Sequence, residues 1–160
     1  MEDYIIEKYI ITVRNDNGIY SIVFEPHDSK GEAFGNRRKI YIISSGEEVL
    51  YVGEAGTSIK TRLERGCDDF NHSETTGKSR HGYRGYKWLD TNNPLTLTVA
   101  IFHNADIKRE DVEAIEAEIV YLIRRHKGLW PTGQNEIHFN NVDGATARAH
   151  AQSIYDNNIR

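Results

Sequence analysis

The sequence predicts an α/β fold of the α+β type: a small, mainly antiparallel sheet flanked by helices. Three observations predict it. Two pairs of short β-prone runs, 4–13 with 19–24 and 40–43 with 49–52, are each joined by a turn signal. The run 95–102, LTLTVAIF, alternates so that Leu95, Leu97, Val99 and Ile101 share one face. The stretch 106–127 then carries Val112, Ile115, Ile119, Leu122 and Ile123 at helical spacing, about 100° per residue.

In chain order, residues 4–13 are rich in Ile, Tyr, Thr and Val and favour a strand. Asn15-Asp16-Asn17-Gly18 is a strong turn signal, and 19–24 returns, so 4–24 reads as an N-terminal β-hairpin. Residues 26–38 are polar, with Gly31 and Gly35, and read as a loop ending in the basic cluster Arg37-Arg38-Lys39. That cluster is either a solvated turn or a phosphate contact. The apolar run 40–43 follows, broken from its partner run 49–52 by Gly46-Glu47-Glu48. The second run stops at Gly53, Gly53-Glu54-Ala55-Gly56 reads as a loop, and Thr57 or Ser58 can cap a helix carrying Ile59, Arg62 and Leu63.

Residues 68–80 are polar and read as a loop. The next stretch, His81 to Trp88, interleaves aromatics with basic residues and glycines, a mix suited to backbone contact and stacking on a nucleic acid. Trp88 is expected inside, with His81, Tyr83 and Arg84 towards a site. Pro94 fixes the start of the strand 95–102. In the long helix, Glu110, Asp111 and Glu113 crowd the start and Arg124, Arg125 and Lys127 the end, as the macrodipole prefers. Gly128 and Pro131 stop it. Residues 136–139 suggest a short extended piece, and 145–157 an alanine-rich C-terminal helix.

The 160 residues suit one domain with a real core, and no repeat or second domain is visible. A net charge of −4 advertises no global basic field, so any nucleic-acid partner needs a local basic face. Cys67 is the only cysteine, which excludes a disulfide framework and a cysteine-based zinc site. No apolar run approaches the roughly 20 residues that span a bilayer, and Met1-Glu2-Asp3 lacks the basic region of a signal peptide. A cytoplasmic setting with no membrane partner is the expectation.

The stretch 39–65, KIYIISSGEEVLYVGEAGTSIKTRLER, places a Tyr on each hairpin strand and an Arg on the helix that follows. It resembles the opening motif of the GIY-YIG nuclease family, with Lys39-Ile40-Tyr41 in the first tripeptide, Tyr51-Val52-Gly53 in the second, and Arg62 eleven residues after Tyr51. A literal Gly18-Ile19-Tyr20 lies 31 residues before Tyr51, too far for one tight hairpin, and reads as a decoy. The resemblance spans about 39–135.

The resemblance implies a Mg²⁺- or Mn²⁺-dependent DNA endonuclease, in the manner of compact restriction-type members. Tyr41 is then the candidate base, Tyr51 assists by hydrogen bond, and Arg62 holds the phosphate, its planar fork matching phosphate oxygens. An acid on the long helix would hold the metal. Glu116, within the apolar arc, and Glu118, nearer its polar edge, compete for that role. Where many family members carry a His or Tyr four residues after the Arg, this chain has Gly66; His72, His81 or Tyr83 would have to replace it. Asn135 is the nearest match to a family Asn that braces the loop after the helix. Arg37, Arg38, Lys60, Arg80, Arg84 and Lys87 are the candidate contacts to DNA. RNA as a substrate and a homodimer stay open. The rivals are a catalytically silent nucleic-acid-binding module and a protein-interaction domain on the same fold.

Overall fold

A computed structural model describes residues 3–79, 86–90, 94–134 and 143–160. The candidate residues Arg80, His81, Tyr83, Arg84 and Asn135, and the expected extended piece 136–139, lie outside the described residues. Among the described residues five strands form one sheet: β1 (Tyr4–Asp16), β2 (Ile19–Glu25), β3 (Lys39–Ser45), β4 (Glu48–Ala55) and β5 (Leu95–Phe102). Their order is β2-β1-β5-β3-β4, and every neighbouring pair is antiparallel. The described residues also form three helices, α1 (Ile59–Thr76), α2 (Arg109–Lys127) and α3 (Gly144–Asn158), with short 3-10 turns at Glu32–Phe34 and Lys87–Asp90. The expected N-terminal hairpin and C-terminal helix are both present.

The hairpins follow from their turn chemistry. Asn17 and Gly18 both take positive φ, 53° and 88°, which suits the twist of a tight two-residue hairpin. β1 is long enough to pair with β5 along 4–11 and with β2 along 10–16. The literal Gly18-Ile19-Tyr20 therefore lies at the far side of the sheet from β4. In the second hairpin the register runs Ile43↔Tyr51 and then Ser44↔Val49, leaving Leu50 as the extra residue of a bulge. The bulge lets Leu50 and Tyr51 enter the same core, which strict alternation forbids.

Each sheet face has its own core. On one face Tyr41, Ile43, Tyr51, Leu97, Val99 and Ile101 pack with Ile59, Leu63, Cys67 and Phe70 of α1 and with Tyr86 and Trp88. On the other, Ile40, Ile42, Val52, Ala100 and Phe102 meet Val112, Ile115, Ile119 and Ile123 of α2 and Ala147, Ala151 and Ile154 of α3. β5 lies between β1 and β3 and is buried on both faces save at Thr96. No helix of the described residues is long and apolar enough to cross a membrane.

Several boundaries differ from the sequence reading. The expected loop 68–80 is helical as far as Thr76. Phe70 holds that extension to the sheet, and Asn71 bonds the main chain of Tyr20 through both its amide atoms, at 2.8 and 2.9 Å. The extension was hidden because its remaining residues are polar and face water. β4 does not stop at Gly53 but pairs through Ala55, opposite Lys39. α2 starts at Arg109 rather than 106, where the Lys108 amide donates to Asp111 Oδ2 at 3.2 Å. Lys39 does not join Arg37 and Arg38 in a basic surface cluster. It is fully buried, and its Nζ donates to the carbonyls of Gly35 and Thr57 at 2.8 and 2.7 Å.

Candidate functional site

β4 ends the sheet order, so among the described residues one side of its backbone has no strand partner. An unpaired edge must find other partners for its N–H and C=O groups. The segment after α2 supplies some. Gly133 N donates to Leu50 O at 2.7 Å, and the Gln134 side chain accepts from Val52 N at 2.9 Å and donates to Val52 O at 2.7 Å. Two residues on, the outward main chain of Glu54 is met by side chains from both helical layers. The Glu54 carbonyl accepts from Arg62 Nε of α1 at 3.4 Å, and the Glu116 carboxyl of α2 lies close enough to the Glu54 main chain to be influenced by it. Residues from opposite faces of a sheet can meet in this way only at its edge.

The phenols are set by the same strand. Tyr41 lies opposite Gly53, and a Cβ at Gly53 would fall 2.6 Å from the Tyr41 ring and 2.7 Å from the Tyr51 ring. Only glycine lets the two side chains converge there, their centroids 5.8 Å apart. Tyr86 joins them edge-on to Tyr51 at 5.3 Å, with Trp88 behind it at 5.0 Å. The hydroxyls of Tyr41 and Tyr86 are 2.9 Å apart. The Arg62 guanidinium lies over both rings, its Cζ 6.0 Å from the Tyr41 centroid and 5.8 Å from that of Tyr86.

Charge states in this cluster depend on one another. Burial pushes Tyr41 above the ordinary phenol value, against the pull of Arg62 and the Tyr86 hydrogen bond. The Tyr41 oxygen is the main group keeping Arg62 firmly charged, helped by Tyr86, Glu54 and Glu116. Burial, then repulsion from Glu54, pushes Glu116 up to about 8, with Arg62 opposing. Around the rim Glu54 takes ion pairs from Arg38 and Arg109, each at 3.4 Å, and Arg109 also pairs with Glu113 at 2.7 Å.

Thus Tyr41, Tyr51, Arg62 and Glu116 come together, with Arg38 beside them. Glu118, half-buried like Glu116, does not share this placing: two residues along a helix is about 200° of rotation, which puts it on another side of α2. Arg37 pairs with Glu32 at 3.7 Å on the surface, and Lys60 and Lys87 are exposed. Cys67 is buried, its thiol pushed up to about 12 by burial, as suits an inert packing residue.

Four contributors escaped the sequence reading. Glu54 was read as loop, Lys39 as surface, and Gln134 was passed over for its neighbour Asn135. Tyr86 was given no place in the site. The signal for it was Gly66, which shares a helix face with Arg62 four residues before. A Cβ at Gly66 would lie 1.8 Å from the Tyr86 ring, so the helix leaves that space to the ring.

No group of three or more His, Cys, Asp or Glu side chains fit to hold a metal gathers among the described residues, so a cation here would rest on fewer carboxylates and on water. A cavity of about 480 Å³ opens away from this cluster, between the end of β5 and the starts of α2 and α3; its Asp111 and Asp143 are engaged as helix caps. Comparison with protein-family models, with curated proteins and with solved structures gave no match.

Proposed function

We propose that the protein is a metal-dependent endonuclease of the GIY-YIG type that hydrolyses phosphodiester bonds in DNA. The observation that carries this reading is the meeting of a phenol from β3, a guanidinium from α1 and a carboxylate from α2 at the outward main chain of Glu54. Phosphodiester hydrolysis needs a proton acceptor for the attacking water, a cation for the non-bridging oxygens and an anchor for a metal. Tyr41 is the acceptor, and the charge of Arg62 favours the ionised form that work requires. Arg62 holds the phosphate with a fixed planar fork. Tyr51 packs beside Tyr41 and keeps its ring in place.

The donor set fits a divalent ion, because Glu116 is a desolvated carboxylate raised by a second carboxylate, Glu54, and a cation relieves both penalties. Glu116, with Glu54 beside it, would hold Mg²⁺ or Mn²⁺. When bound, that ion would neutralise phosphate charge and polarise the scissile bond. Arg38 and Arg109, paired with Glu54, border the site and would take flanking phosphates.

The complete burial of Tyr41 and its raised pKa favour a second reading, a nucleic-acid-binding domain that does not cleave. Supercoiled plasmid and a single-stranded RNA, each incubated with the protein in Mg²⁺ with and without EDTA, separate the two. The nuclease reading expects nicked and linear DNA that EDTA abolishes. Retarded but intact DNA in a gel would favour the binder.

A further inference from the structure

We propose that Tyr86 is the positioning residue for Tyr41, its hydroxyl holding the Tyr41 oxygen through both protonation states. This rests on the reading of Tyr41 as proton acceptor. The Tyr86 hydroxyl has in reach the Tyr41 oxygen at 2.9 Å and the Arg62 carbonyl at 3.2 Å. A phenol carries one proton. While Tyr41 is protonated, it donates to Tyr86, and Tyr86 donates to the Arg62 carbonyl. When Tyr41 is ionised, Tyr86 turns its O–H onto the Tyr41 oxygen. Only a hydrogen swings about a C–O bond; no heavy atom moves, and no bond at Tyr86 is made or broken. The buried oxyanion of Tyr41 is thereby given a hydrogen-bond donor at the moment it needs one.

The surroundings hold the Tyr86 ring for this task. It is fully buried, edge-on to Tyr51, packed on Trp88 and seated against Gly66. Its edge to the Arg62 main chain ties the phenol to the helix that carries the guanidinium. A ring needed only as filler would bury the same area as Phe without desolvating a hydroxyl. The hydroxyl therefore points to a role beyond packing. It also answers Gly66: the group absent from α1 arrives from the segment before β5, on the same face of the sheet.

The test is a cycle of Tyr86→Phe, Tyr41→Phe and the double variant, read by single-turnover plasmid nicking across pH 6–10. Tyr86→Phe keeps the ring, so its thermal midpoint should stay within a few degrees of the parent. Its single-turnover rate constant should fall about tenfold or more with the half-saturating concentration within about twofold, and its pH profile should move to higher pH by about one unit. Because Tyr86 acts through Tyr41, the double variant should be no slower than Tyr41→Phe alone. A readout free of DNA and metal accompanies it: with ¹³Cζ-labelled tyrosine, the Tyr41 resonance should move in Tyr86→Phe. Additive losses, an unchanged pH profile or an unmoved Tyr41 resonance would overturn the proposal while leaving the nuclease reading intact. A parent that never nicks DNA, or a Tyr41→Phe variant as fast as the parent, removes the nuclease reading and this inference with it.

Discussion

Glu116 concentrates the chemistry of the site in one carboxyl group. Its pKa is raised from an ordinary 4.5 to about 8, first by burial and then by Glu54. Between those values the folded protein keeps a proton that the unfolded chain releases. Stability from this group is full below about pH 4.5 and is lost as pH rises towards 8. Glu116→Gln removes the titration, so its thermal midpoint should match the parent near pH 5 and exceed it by a few degrees near pH 9. Melting scans at both pH values check this; an offset that does not change with pH would contradict it. The same variant should lose Mg²⁺-dependent nicking, because the anchor for the ion is gone. Glu118→Gln, about 200° away around α2, should nick like the parent. An active Glu116→Gln beside an inactive Glu118→Gln would assign the metal to Glu118.

The edge of β4 decides which parts of the site can be read along the chain. Tyr41, Tyr51 and Arg62 were legible because one contiguous hairpin and helix carries them, in the order and spacing that the resemblance to the GIY-YIG motif picks out. Glu116 was legible from helical phase, but only as one of two acids, since phase names the buried side and not the partner on it. Tyr86, Gln134 and the main-chain role of Glu54 were not legible. They depend on which strand ends the sheet, and strand order comes from pairings distant in sequence. Helix α1 was cut short for a related reason: past Phe70 its anchor is Asn71, whose partner Tyr20 is 51 positions away. The edge makes two predictions of its own. Gln134→Ala leaves Val52 N–H and C=O without their amide partner, which should cost about 1–2 kcal/mol and speed amide exchange at Val52. Gly66→Ala drives a methyl into the Tyr86 ring, at a cost of about 1–3 kcal/mol, and should reduce nicking by more than its loss of midpoint explains. Unchanged Val52 exchange, or a fully active Gly66→Ala, would count against this account of the edge.

Across the whole molecule, two separate cores lie on two faces of one sheet, and side chains from both layers meet where the sheet ends. α1 brings Arg62 from one layer, α2 brings Glu116 from the other, and the backbone of Glu54 receives both. At a net charge of −4, the DNA binding proposed here would fall to the local arginines Arg38, Arg62 and Arg109. Affinity should therefore fall with salt, and charge removal at Arg109, outside the buried cluster, should flatten that dependence in a binding titration. The central claim is that this edge cleaves phosphodiesters, and Arg62 is the group through which its members interact. The most direct measurement is the single-turnover rate of plasmid nicking in Mg²⁺ for the parent and for Arg62→Ala, with circular dichroism confirming that both are folded. The account predicts EDTA-sensitive nicking by the parent and a loss of at least about 100-fold in the folded variant. A parent that leaves plasmid intact in Mg²⁺ and Mn²⁺, or an Arg62→Ala variant that nicks at the parent's rate, would contradict it.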